Sequence, residues 1–130
     1  MAGITVESGK FAVYASTVTD DSNPYELLKV AEDGGACILQ ANDGRWWIFY
    51  IVANGANYDL RYYYSDDGGV IWSSSALIKA GVCQGKPGAV EVLAGRIVVY
   101  YVKTVVSTDY LYRSYSEDGG TSWTEEQVIT

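Results

Sequence analysis

One octapeptide pattern, Ser-x-Asp-x-Gly-x-x-Trp, occurs twice in this chain, as SDDGGVIW at 65–72 and as SEDGGTSW at 116–123. The copies lie 51 residues apart, and self-similarity at such a period signals an array or ring of one repeated supersecondary unit. The offset extends without a gap when residues 36–79 are laid on 87–130. Gly44, Arg45, Tyr50, Leu60 and Tyr64 then fall on Gly95, Arg96, Tyr101, Leu111 and Tyr115, and Ile78 falls on Ile129. Within the octapeptide Ser65, Asp67, Gly68, Gly69 and Trp72 fall on Ser116, Asp118, Gly119, Gly120 and Trp123. Other pairs keep their character, as with Ile48 and Val99.

Each unit reads as four short strands, because β-branched and aromatic runs alternate with clusters of Gly, Asn, Asp and Ser. The strands are predicted over 36–41, 46–52, 58–65 and 75–80, and again over 88–93, 96–103, 109–116 and 126–130. The second strand of each unit, WWIFYIV or RIVVYYV, is apolar on both faces and so needs cover on both sides. Four strands per repeat with a doubly covered inner strand fit the blades of a β-propeller. A β-sandwich would match the strand count, but not the recurrence of the same turn.

The duplicated octapeptide resembles the Asp box, or BNR repeat, of the sialidase superfamily of propellers, and the Gly-Arg-plus-apolar strands at 44–49 and 95–100 resemble blades of that family. The turn has a physical rationale of its own. A short Asp accepts hydrogen bonds from its own turn, Gly supplies positive φ, and the indole folds back on the sheet. Ser65, Asp67, Gly69, Trp72, Ser116, Asp118, Gly120 and Trp123 are therefore expected to be structural, and Trp72 and Trp123 to be worth ~3–5 kcal/mol each if fully buried.

Residues 1–35 lack the box but contain ITVES, a Gly9-Lys10 turn, FAVYAST, a polar DDSNP turn and ELLKVA, which reads as a partial blade. Residues 36–86 and 87–130 are the two complete blades. The expected fold is thus all-β, two four-stranded blades and a partial N-terminal blade. Propellers close with 4 to 8 blades, so a six-bladed ring is expected to form by homo-oligomerisation. A homodimer is favoured on strand count, with a homotrimer second.

The 130 residues carry 9 Lys plus Arg against 16 Asp plus Glu, a formal charge of −7 that argues against nucleic acid or an anionic membrane as partner. With no histidine, the chain offers no Ser-His-Asp or Cys-His arrangement of its own and lacks the usual nitrogen ligand for zinc. No cofactor or metal is expected. Cys37 and Cys83 form no Cys-x-x-Cys motif, and both a single disulfide and two free thiols are compatible with their spacing. No signal peptide or membrane-spanning run is recognisable.

The resemblance implies, for an active sialidase, an arginine triad, a tyrosine nucleophile with a glutamate partner, and an acid/base aspartate. The Arg-Ile-Pro motif that belongs with that set is absent, Arg45 and Arg96 occupy equivalent repeat positions, and Arg61 and Arg113 lie on third strands. No catalytic residue is assigned. A propeller presents ligands on loops joining second to third strands and fourth strands to the next blade, here 53–57, 103–108, 31–35 and 81–86. Asp33, Asn54, Asn57, Gln84, Lys86 and Lys103 on those loops are the candidate ligand-binding residues for sugar hydroxyls or a protein surface. The readings that remain are a non-catalytic binding propeller, a glycoside hydrolase with its site assembled between chains, and a structural or interaction protein.

Overall fold

In the computed structural model, residues 4–7, 10–13 and 35–129 are described. Strand β1 (Ile4–Glu7) pairs antiparallel with β2 (Lys10–Val13). The expected fourth strand ELLKVA and the DDSNP turn lie outside the described residues. The rest is all β. A first sheet comprises β3 (Ala36–Gln40), β4 (Trp46–Asn54), β5 (Asn57–Ser65) and β6 (Ala76–Val82). A second comprises β7 (Gly88–Leu93), β8 (Arg96–Val105), β9 (Thr108–Ser116) and β10 (Thr124–Gln127). In each, strands pair antiparallel in chain order, which gives two blade-like meanders. No helix of the described residues is long and apolar enough to cross a membrane.

The sheets pack face to face through opposite parities of the repeat. Trp47, Phe49, Ile51, Leu60 and Tyr62 point from the first sheet into a core completed by Ile97, Val99 and Tyr101 from the second. Trp47 stacks on Phe49 with centroids 5.8 Å apart, and Trp123 meets both rings edge-on at 6.4 and 6.0 Å. Such pairs contribute ~0.5–1.5 kcal/mol each beyond the area they bury. The doubly apolar reading of the inner strands fits what is seen. Tyr50 and Val98, on the faces turned away from this core, are also buried.

Two details differ from the sequence reading. The hairpin ladders run further than expected, Asn54 pairing with Asn57 and Val105 with Thr108, so that each turn is only two residues. In one, Gly55 has φ 64°; in the other Val106 and Ser107 have φ 47° and 65°. Paired positive φ matches the twist of adjoining strands, as in a type I′ turn, but a β-branched Val there carries no turn signal in its sequence.

The repeat also slips in its last strand. Tyr62 pairs with Ala76, whereas its counterpart Arg113 pairs with Glu126, so the offset falls from 51 to 50. Ser73 still donates its N–H to Tyr64 O (2.8 Å), as the pairing of Thr124 with Tyr115 requires. The extra residue is therefore taken up between Trp72 and Ala76. There Ser75 is held by its hydroxyl, 2.5 Å from Tyr50 Oη and accepting from Arg61 Nε at 2.8 Å. Ile78, skipped at a bulge where Lys79 faces Leu60, thus has no counterpart in Ile129, and β10 starts at Thr124 and not at 126.

Candidate functional site

The two octapeptide turns are built alike. Ser65 Oγ donates to Asp67 Oδ1 (2.7 Å) and accepts from Gly69 N (2.9 Å), while Asp67 Oδ1 also accepts from Val70 N and Ile71 N. Ser116 Oγ likewise donates to Asp118 Oδ1 (2.8 Å) and accepts from Gly120 N (2.9 Å), and Asp118 accepts from Ser122 N and from its hydroxyl. Gly68, Gly69, Gly119 and Gly120 all have φ between 70° and 90°, a region closed to most side chains. Hydrogen bonds to the charged form hold both carboxyls low. Asp67 lies below its usual 3.8, chiefly through Ile71 N–H and the Ser65 hydroxyl, and Asp118 falls to about 2, led by Ser122.

Their surroundings differ. The 116–123 turn is gripped by the first sheet: Arg45 Nη1 donates to Gly119 O (3.2 Å) and Tyr62 Oη to Gly120 O (2.8 Å). Arg45 is aimed by a two-pronged ion pair with Asp66 (2.6 and 3.0 Å) and by lying 4.2 Å above the Tyr64 ring. In the 65–72 turn, by contrast, Gly69 O accepts from its own Trp72 Nε1 at 3.0 Å. Trp123 Nε1 is buried with no partner among the described residues, its equivalent carbonyl being engaged by Tyr62. Both indoles are half-buried, so the full-burial figure overstates them.

The candidate ligand residues do not form one constellation. Asp33 lies outside the described residues. Asn54 and Asn57 are exposed at the tip of the β4–β5 hairpin, and Asn54 Nδ2 donates to Asp59 Oδ2 at 2.9 Å. Gln84 and Lys86 are exposed on the β6–β7 connection. Lys86 packs so closely on Gly35 that a Cβ there would meet its Cγ at 2.5 Å. Lys103 is not a loop residue. It lies inside β8, half-buried, donating to Glu125 Oε1 at 2.6 Å and sitting 4.6 Å above the Tyr112 ring.

Lys79 Nζ, from the first sheet, sits 2.6 Å from the other Glu125 oxygen, a charge contact at an angle poor for a hydrogen bond. Burial works against ionisation of Glu125, but the two lysines outweigh it and its pKa is lowered. This three-charge contact joins the sheets.

Asp59, Thr104 and Asp109 on the loop end are not among the candidates the sequence offers. Asp59 is 6% exposed, and its Oδ1 has no partner among the described residues. Cys83, at the end of β6, places Sγ 3.0 Å from Thr104 Oγ1, which donates to Asp109 Oδ1 at 2.6 Å. Neither cysteine is in a disulfide, and burial pushes the Cys37 thiol up to about 11 against a smaller opposing contribution from the Phe49 backbone. No His, Cys, Asp or Glu group of three converges as a metal-ligand cluster among the described residues.

All four arginines are held on their own sheets: Arg45 by Asp66, Arg61 by Ser75, Arg96 by Glu117 and Arg113 by Glu126. They do not converge on one point. The chain matches no protein-family model and no curated protein.

Proposed function

We propose that the chain is a non-catalytic, self-associating, sialidase-like β-propeller protein that binds carbohydrate or a protein partner through its loop end. The observation that carries this reading is the duplicated Ser–Asp–Gly turn, with one hydrogen-bond scheme in two consecutive meanders that pack through opposite faces. Packing of opposite faces is the heterologous contact that generates rings when it closes. Homodimers, and secondly homotrimers, are the proposed closures. The separate tethering of the four arginines favours binding over sialoside hydrolysis, which needs three of them around one carboxylate. Asn54, Asn57, Gln84 and Lys86 are exposed, and several shallow sites in one assembly would act together by avidity.

Glycan-array binding measured beside turnover of a fluorogenic sialoside tests the reading. Binding without turnover is expected. Turnover lost on Arg→Ala substitution would replace it with the hydrolase, and silence in both assays would replace it with a structural or interaction role.

A further inference from the structure

The two sheets present the same face in two different states. On the first sheet this face carries Phe49, Ile51 and Leu60, each at most 1% exposed beneath the second sheet. Their counterparts one repeat later are Tyr100, Val102 and Leu111, on the face of the second sheet turned away from that core. There Val102 is 38% exposed and Val90 41%.

The donors that grip the neighbouring turn are repeated on this open face. Arg45 and Tyr62, which hold the carbonyls of Gly119 and Gly120, correspond to Arg96 and Arg113. Arg96 is aimed as Arg45 is, by an ion pair with Glu117 and a Tyr115 ring 5.2 Å away. Arg113 is paired to Glu126 at 2.6 Å, with its side chain 42% exposed. Among the described residues neither arginine meets a turn of another sheet.

The matching acceptors are also present. On the first sheet the docked turn comes very close, since a Cβ at Gly120 would lie 2.9 Å from Trp47 Cη2 and 3.2 Å from Tyr62 Oη, positions that Val98 and Arg113 take on the open face. A tandem glycine turn with positive φ allows that approach, and 65–72 has one in Gly68 and Gly69. Within one chain that turn belongs to the sheet on the opposite side of the second sheet.

We infer that a second copy of the chain docks its 65–72 turn on the open face of the second sheet, Arg96 and Arg113 donating to the carbonyls of its Gly68 and Gly69. Gly69 O then exchanges its bond from Trp72 Nε1 for one from the neighbour, the state already seen at Gly120. The contact rests on the self-associating reading above and gives it a face and a direction. The docked copy again offers its own Arg96 and Arg113, so the contact propagates head to tail.

Sedimentation of the whole chain over a range of concentrations tests this, with R96A/R113A and V102D as variants and far-UV circular dichroism to verify folding. The wild type is expected to self-associate, and R96A/R113A to raise its dissociation constant roughly a hundredfold through loss of two charge-assisted hydrogen bonds. V102D, at an exposed position opposite Leu111 on the same face, is expected to weaken association as well. An oligomer unchanged in both folded variants overturns the inference and leaves the self-associating reading standing. A wild type that stays monomeric overturns both.

Discussion

The turns at 65–72 and 116–123 share a hydrogen-bond scheme, a φ pattern and an indole, yet among the described residues only the second is gripped by a neighbouring sheet. Around it Trp47, Phe49, Tyr62 and Trp123 form one aromatic cluster, and Gly120 has no room for a methyl group. Around the first turn, Gly69 has, among the described residues, only Trp72 as a near neighbour, 3.5 Å from where a Cβ would stand. The local scheme makes the turn, and its contact with the neighbouring sheet makes it matter to global stability. A motif of this kind therefore cannot be assigned one energetic value from its sequence.

Substitutions at equivalent positions sharpen the contrast. The largest difference is expected for Gly120→Ala against Gly69→Ala. Both pay about 1–2 kcal/mol for a side chain at positive φ, but Gly120→Ala adds overpacking against Trp47, for about 3–4 kcal/mol in all. Chemical denaturation reads both values, and equal losses would break the comparison. Next, Trp123→Ala should cost about 3 kcal/mol, and more than Trp72→Ala, whose ring makes no ring contact among the described residues. Thermal melting ranks the pair.

Tyr62→Phe should cost about 1 kcal/mol, since it removes the hydroxyl from Gly120 O. Freed, that carbonyl becomes available to Trp123 Nε1, so the indole fluorescence should change as well. An unaltered emission spectrum with an unaltered melt would show that the contact carries little.

The smallest expected effect is on acid stability. The carboxyls of Asp67 and Asp118 are lower in the folded chain than the usual 3.8. Their contribution is therefore complete above about pH 4 and is lost as the pH falls towards about 2, where Asp118 protonates. Melting temperatures at pH 7, 4 and 2.5 should show the loss below pH 4. Asp118→Asn should flatten that loss, and an undiminished acid slope would exclude this turn as its source.

Much of this architecture is legible in the chain. The repeat, the eight strands of the two sheets and the turn chemistry all follow from local patterns, because alternation, Gly-rich breaks and the Ser–Asp pairing act within a few residues. The bounds of the fourth strand are not legible, because the extra residue near Ser75 is accommodated by contacts to Tyr50 and Arg61, on other strands. Lys103 looks like a loop position in the sequence because the 106–107 turn lacks the Gly or Asn that marks a tight hairpin. Only with β8 extended to Val105 does Lys103 become an interior strand position facing Glu125.

The amino-acid sequence by itself determined two copies of one four-stranded unit, the place of each glycine turn and a strongly acidic surface, since these depend on local geometry and on composition. Tertiary structure decided which copy of the turn is clamped, which lysine joins the sheets and which face stays open. The two repeats are nearly equivalent along the chain, and only packing one against the other gives them different neighbours. That difference separates Gly120 from Gly69 and leaves Arg96 and Arg113 paired to Glu117 and Glu126 of their own sheet.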